Sequence, residues 1–201
     1  MQLLRFALWW PLIALTAVAS GCAHGGVWKN PGRLPAGATV LPVAGLDQIG
    51  NRCGPNALAM VLNASGDPIT ESAIAAVILN EKVDATLSLD LLLFARTRGY
   101  PAEFEKGDLD LLLGTLASGR AAILLLNLEP GVPWLLKGRP LWHYVVAFGF
   151  SQAKQELYVH SGVGPKSIAF KRLTPMWKPG GFWMMHLGTP VTGSGATNRC
   201  P

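Results

Sequence analysis

Apolar residues recur at helical spacing between residues 56 and 118 and form short runs in the part of the chain that follows. Residues three or four positions apart share one face of a helix, so the spacing predicts four helices. They cover residues 56–63, 70–81, 88–98 and 108–118, and the ends of the first, third and fourth are marked by Gly, Pro or Ser. The pattern therefore predicts a helical first half.

The second half has the pattern of buried strands. Short apolar runs with polar or Gly- and Pro-containing connections predict strands over residues 121–127, 141–150, 156–160, 167–170 and 182–187. Helices that precede an antiparallel sheet are typical of the α+β class. We therefore expect an α+β fold with one main core.

The amino terminus has the organisation of a secretory signal peptide. Arg5 is followed by an apolar run over residues 6–18 that is too short to span a bilayer, and then by small residues up to Cys22. The ending Val18-Ala19-Ser20-Gly21-Cys22 resembles the lipobox of bacterial lipoproteins, which implies cleavage before Cys22 and acylation of that residue. An ordinary secreted protein and an uncleaved anchor are the alternatives. The predicted organisation is a signal peptide at 1–21, a lipidated tether at 22–46, a domain at 47–187 and a flexible tail at 188–201.

Composition narrows the function classes. Half of the 201 residues are hydrophobic and 14% are charged, which excludes a disordered chain. The net charge is +5 without any cluster of Lys and Arg along the sequence, so nucleic acid is not an expected partner. The chain contains no H-x-x-H, H-E-x-x-H, C-x-x-C or nucleotide-binding loop motif, so no metal or cofactor is expected. The expected partners are a peptide or protein substrate and, through acyl chains, a membrane. In a Gram-negative cell, Ala23 after the acylated Cys would favour the outer membrane, facing the periplasm.

Cys53 is the candidate nucleophile. It stands at the predicted start of the first helix, in the run Cys53-Gly54-Pro55-Asn56-Ala57. Unpaired N–H groups and the positive end of the helix dipole stabilise a thiolate, so this position predicts a lowered thiol pKa. A disulfide between Cys53 and Cys200 is the alternative in an oxidising compartment.

A cysteine nucleophile needs a base, and His143 is the best candidate. It begins an apolar strand in which Val145, Ala147 and Gly149 share its face, and these small residues leave room for a substrate or for a neighbouring helix, which could be the helix that carries Cys53. Gln48, five residues before Cys53, could add an amide donor to the Cys53 backbone N–H for the oxyanion of an acyl transfer. The three residues form a coherent set for thiol catalysis.

These motifs resemble those of the papain-like cysteine peptidases of the C39 and C39-like group. The resemblance covers residues 46–187 and depends on Gln48, the run from Cys53 to Leu62, and His143-Tyr144-Val145-Val146-x-x-Gly149. It implies a papain-like α+β fold whose helical half carries the Cys and whose antiparallel sheet carries the His. It also implies Cys53 as nucleophile, His143 as base and later acid, and Gln48 as oxyanion donor.

The chain departs from this group at one position. The strand after the His normally ends with an Asp, often followed by Pro, and here the corresponding end is His160-Ser161-Gly162. Ser161 through its hydroxyl, or else His160 through its imidazole, would have to orient His143, or the site is a Cys–His dyad. The expected function is a lipid-anchored cysteine peptidase of the cell envelope. The alternatives are a papain-fold binding lipoprotein without turnover and a murein endopeptidase or amidase.

Overall fold

The computed structural model describes residues 29–80, 82, 85–130 and 140–189. The five helices within these ranges are α1 Cys53–Ala64, α2 Glu71–Ile78, α3 Ser88–Thr97, α4 Leu109–Ala117 and α5 Phe170–Trp177, the last followed by a 3-10 helix over Lys178–Gly180. The strands are β1 Thr39–Val40, β2 Ala102–Lys106, β3 Ala122–Asn127, β4 Trp142–Ser151, β5 Glu156–His160, β6 Pro165–Ala169 and β7 Trp183–Leu187. The predicted α+β class is confirmed.

All strands belong to one antiparallel sheet with the order β2-β7-β3-β4-β5-β6, in which β1 also pairs with β4. The long strand β4 has β3 on one side, where His143 is the register partner of Leu126. Its other side pairs with β5, where Val146 faces His160. His143 therefore lies near the beginning of a strand that is held from both sides.

The two faces of the sheet bury different cores. Tyr144, Val146 and Phe148 of β4 share a core with residues of α1, α2 and α3. The alternate residues Val145 and Ala147 share a second core with residues of α4 and α5. The prediction that α1 packs against the small residues on the His143 face is therefore wrong. The aromatic side chains of β4 lie in the same core as α1 and offer more apolar surface to bury than the small residues on the other face of the strand.

Part of the range assigned to the tether packs on the domain. Thr39 and Val40 pair with Phe150 and Gly149, and Val43 is buried. A Cβ on Gly149 would lie 2.4 Å from the Thr39 carbonyl oxygen, so this close approach of two backbones requires glycine. The segment that leads to Cys53 is thereby fixed against β4.

The other terminal predictions fall outside the described residues: the signal peptide at 1–21, the acylation of Cys22, the tail beyond residue 189 and the alternative pairing with Cys200. Within the described ranges, no helix is long and apolar enough to cross a membrane. The described elements that were not among the predictions are the strands β1 and β2, the helix α5 and the 3-10 helix.

Candidate active site

Cys53 is the first residue of α1 and is only partly exposed. Burial raises the pKa of its thiol above the ordinary value of 9.0, while backbone hydrogen bonds from Tyr144, Gly54 and Cys53 itself lower that pKa and offset part of the shift. The expected lowering of the thiol pKa is therefore outweighed by desolvation, because a partly enclosed sulfur loses the water that would stabilise its charge. The bond from Tyr144 also shows that the sulfur lies against the main chain next to His143.

His143 is positioned by a main-chain group. Its Nε2 atom lies 3.1 Å from the Ser161 carbonyl oxygen. A carbonyl oxygen can only accept a hydrogen bond, so Nε2 carries the proton and the lone pair of the neutral ring is on Nδ1. The imidazole is thus in the tautomer that leaves Nδ1 available as a base.

Burial favours the uncharged form of both groups. Burial lowers the pKa of His143 below its ordinary value of 6.5, and the hydrogen bond to Ser161 offsets part of that shift. With the thiol pKa raised and the imidazole pKa lowered, neither the thiolate nor the imidazolium is favoured before substrate binds. The chemistry available to this pair is proton transfer from sulfur to nitrogen during attack.

Cys53 and His143 line the same cavity, whose volume is about 530 Å³. Much of its wall is apolar, formed by Leu87, Leu125, Leu141 and Trp142. On the same wall the hydroxyls of Tyr144 and Ser88 are 2.7 Å apart, and burial raises the pKa of Tyr144 to about 12. The cavity can accept an extended chain with an apolar side chain near the sulfur. Among the described residues, no group of three or more His, Cys, Asp or Glu could hold a metal ion.

Gln48 lies at the junction of this cavity with a second one of about 360 Å³, which His143 and Ser161 also line. Its backbone N–H donates to the Gly162 carbonyl oxygen at 2.8 Å, and its side-chain Nε2 donates to the Gly50 carbonyl oxygen at 2.6 Å. An oxyanion role would require the second amide hydrogen, or rotation of the amide away from Gly50.

The residues that follow β5 provide the hydrogen-bond partner of His143 at the place where the resemblance to the C39 group implies an Asp. Ser161 contacts His143 through its carbonyl oxygen, so the contact we expected from its hydroxyl is made by the main chain. Gly162 has a φ of +81°, which proline cannot adopt, and a Cβ there would lie 2.6 Å from the Cβ of Gln48. The pair Ser161-Gly162 therefore has a different backbone from an Asp-Pro pair.

His160, the other candidate orienter, is engaged elsewhere. Its Nε2 is 2.9 Å from the Val43 carbonyl oxygen, and its ring stacks on Phe148 with centroids 4.2 Å apart. The side chain is buried in the core that contains α1, and these contacts fix it away from His143. Strand alternation explains this result, because neighbouring residues of β5 point to opposite faces of the sheet.

A buried polar group that the sequence reasoning missed supports the Gln48 segment. Asn56, one turn after Cys53 in α1, donates through Nδ2 to Oε2 of Glu71 at 2.9 Å and to the carbonyl oxygens of Leu46 and Asp47 at 3.3 Å each. Asn56 and Glu71 are both buried. The bonds fix the residues just before Gln48 to the helix that carries the nucleophile. A polar Asn within an otherwise apolar run was the pattern that could have revealed it.

The fold can be compared with known proteins. No protein-family model and no curated protein sequence matches the chain. Among solved structures, a C39-like peptidase from Bacillus anthracis is 15% identical and matches with a TM-score of 0.59, covering 75% of this chain and 97% of that one. The peptidase domain of ComA from Streptococcus, a bifunctional ABC transporter of a quorum-sensing pathway, is 20% identical, with a TM-score of 0.55 and coverages of 71% and 96%.

A third structure is a double-glycine-motif protease from an AMS/PCAT transporter in complex with a leader peptide. It is 18% identical, has a TM-score of 0.56, and the match covers 75% of this chain and 94% of that one. Each of these domains is matched over nearly its whole length, although sequence identity is low. The chain described here therefore has the papain-like fold of C39 peptidase domains.

Proposed function

We propose that this chain is a cysteine peptidase of the C39-like kind, held at the cell envelope by an acylated Cys22. The observation that carries the catalytic part is the shared cavity of Cys53 and His143. The lipobox-like ending before Cys22 carries the anchoring part. The substrate is a peptide or protein segment in extended conformation.

In the proposed reaction, His143 Nδ1 takes the thiol proton as the Cys53 sulfur attacks the carbonyl carbon of the scissile bond. The oxyanion that forms is stabilised by the Cys53 backbone N–H and the Gln48 amide. The carbon–nitrogen bond then breaks as His143 returns the proton to the leaving amine, which leaves an acyl group on sulfur as a thioester. Water, deprotonated by His143, hydrolyses the thioester and restores the thiol.

The main-chain partner of His143 has a consequence for this reaction. A carbonyl oxygen fixes the ring and its tautomer as a carboxylate would, but it carries no full charge to stabilise the imidazolium. We infer that proton transfer accompanies attack in this site, and that free Cys53 reacts slowly with small alkylating agents at neutral pH.

The test compares envelope peptides from cells that make the native chain, Cys53→Ala or Cys200→Ala. Both substitutions remove one thiol, so Cys200→Ala is the matched control. We expect cleavage products to disappear with Cys53→Ala and to persist with Cys200→Ala, as read by mass spectrometry of the envelope fraction. The same products in all three strains would refute Cys53 as the nucleophile.

A binding protein without turnover is the second candidate, and the partner of His143 favours it, because Nε2 bonds to the Ser161 carbonyl oxygen and not to a carboxylate that would stabilise the imidazolium. This candidate predicts that a peptide captured by the native chain is also captured, uncut, by Cys53→Ala. Release of soluble peptides from purified peptidoglycan would instead identify a murein endopeptidase or amidase. The anchor is tested separately by incorporation of a labelled fatty acid, which Cys22→Ala should abolish.

A further inference from the structure

The outer side of α5 carries a concentration of positive charge. A cavity of about 420 Å³ between α5 and the 3-10 helix is lined by Lys171, Arg172 and Lys178, together with apolar atoms of Pro175, Met176 and Pro179. The three cationic side chains are exposed. Basic groups around an apolar depression are suited to an anionic amphiphilic surface.

Lys166 extends this charged face along the sheet. It stands two residues before Ile168 in β6 and so shares its face, and Ile168 lies in the core beneath α5, so the Lys166 side chain is on the α5 side. Acidic residues lie nearby: Glu129 precedes Pro130, which lines the same cavity, and Asp108 follows Gly107, where a Cβ would contact Trp177 of α5. The charged residues that line the cavity itself are all cationic.

Two cations near the start of α5 have an unfavourable interaction with the helix dipole. Lys171 and Arg172 are the second and third residues of α5, where the positive end of the helix dipole disfavours cations, and the first turn contains no acidic residue. The arrangement does not serve helix stability. An anionic partner outside the protein would gain from these two cations and from the dipole together.

The amino-terminal segment reaches the domain beside this face. Lys29 pairs with Ser167 of β6 in both directions, Lys29 N to Ser167 O at 3.3 Å and Ser167 N to Lys29 O at 2.8 Å. Seven residue steps separate Lys29 from Cys22, and an extended chain of that length spans at most about 25 Å. An acyl group on Cys22 would therefore hold the β6 edge, and α5 beside it, close to the bilayer.

From these observations we propose that the face formed by Lys166, Lys171, Arg172 and Lys178 docks on the anionic headgroups of the membrane that anchors the chain. The inference rests on the membrane attachment in the proposed function and is independent of catalysis. His143 and Lys166 line the second cavity of about 360 Å³, and His143 also lines the cavity that contains Cys53, so docking brings the proposed site towards the bilayer surface. The substrate class that follows is a polypeptide segment close to a membrane.

The experiment uses the full chain, inserted through its own amino-terminal segment into vesicles of phosphatidylcholine alone or mixed with phosphatidylglycerol. Lysine acetylation is followed residue by residue with mass spectrometry. Each cation near an anionic bilayer contributes about fivefold to docking, so the three exposed cations Lys171, Arg172 and Lys178 favour docking by on the order of 100-fold at low salt. We expect acetylation of Lys171 and Lys178 to fall by on the order of tenfold in phosphatidylglycerol vesicles, and to recover in high salt.

Lys106 is the internal control, because it is exposed on β2 at the opposite edge of the sheet. Its acetylation should be equal in both vesicles. Arg172→Gln should weaken the protection of Lys171 by about fivefold, which is the contribution of one cation, whereas Lys106→Gln should leave it unchanged. Equal labelling of Lys171 in both vesicles would overturn the proposal, and so would protection of Lys106 as strong as that of Lys171. A catalytically inactive chain that shows the expected protection would refute the peptidase and leave the docking face intact.

Discussion

Gly162 gives the sharpest test of the proposed oxyanion site. Gly162→Ala places a Cβ 2.6 Å from the Gln48 Cβ and 2.8 Å from its Oε1, at a residue whose φ is +81°. The positive φ costs alanine about 1–2 kcal/mol, and overpacking adds about 1–3 kcal/mol. The Cβ of Gln48 is close to the main chain, so the segment that contains Gln48 must move.

The chain supplies a matched control two residues away. Gly164 has a φ of +63°, and no atom lies within 4 Å of a Cβ built there. Gly164→Ala therefore has the backbone strain without the contact to Gln48. Urea unfolding should show a loss of about 1–2 kcal/mol for Gly164→Ala and a further loss for Gly162→Ala.

Turnover separates the two variants more clearly. Removal of one oxyanion donor lowers kcat by about 10²- to 10³-fold. The substrate for this assay is the peptide whose cleavage is lost with Cys53→Ala. On this peptide the kcat of Gly162→Ala should approach that of Gln48→Ala, while Gly164→Ala should keep the native kcat. The double variant Gln48→Ala/Gly162→Ala should be no slower than Gln48→Ala. A Gly162→Ala variant with native kcat would refute the role of Gln48.

Three further predictions follow from burial. The alkylation rate of Cys53 by iodoacetamide should rise with pH through a midpoint above that of the unfolded chain, because burial raises the thiol pKa and the thiolate is the reactive form; a lower midpoint would contradict this. Asn56→Leu should lower the free energy of unfolding by about 3 kcal/mol, since it removes the donor to the buried Glu71 carboxylate, and Glu71→Gln should lower it less in the same urea titration. Burial lowers the pKa of His160, so its contribution to stability is complete above the ordinary value of 6.5 and is lost as the pH falls towards the folded value. In urea unfolding across that pH range, His160→Phe should lose less stability on acidification than the native chain. An equal loss of stability in the two chains would assign the pH dependence to other groups.

The sequence was most informative where local pattern and tertiary structure agree. The predicted helix over residues 88–98 is α3 Ser88–Thr97, and the predicted strand over 156–160 is β5 Glu156–His160. The four predicted helices correspond to α1–α4 because their apolar stripes face the core, and turn residues set their ends. Element types and approximate bounds were therefore predictable.

Two elements lacked such a pattern. The strand β2 has the sequence AEFEK, in which only Ala102 is buried, so an edge position and pairing with β7 define it. The helix α5 contains Pro175 and begins with two cations, which are features that local rules assign to a connection. In both cases tertiary packing overrides local preference.

The geometry of the site depended on information that a single sequence does not contain. The face of β4 against which α1 packs is decided by the side-chain volumes of both elements. His143 and Tyr144 point to opposite faces of β4, but His143 is near the end of the strand and can therefore still line the cavity of Cys53. The Ser161 carbonyl oxygen contacts His143 because the backbone at Gly162 has a positive φ. A glycine in the sequence permits this conformation but does not require it.

The pairing of Lys29 with Ser167 and of Thr39 with Phe150 also determines when the domain can be completed. These contacts join segments separated by more than half of the chain, so a ribosome must release most of the polypeptide before they form, and such non-local pairing is slow. A nascent chain that has already exposed Cys53 still lacks β4 and its imidazole. Under the proposed function the thiol is therefore without its base during synthesis, and no cleavage can begin until β4 and its partner strands have come together.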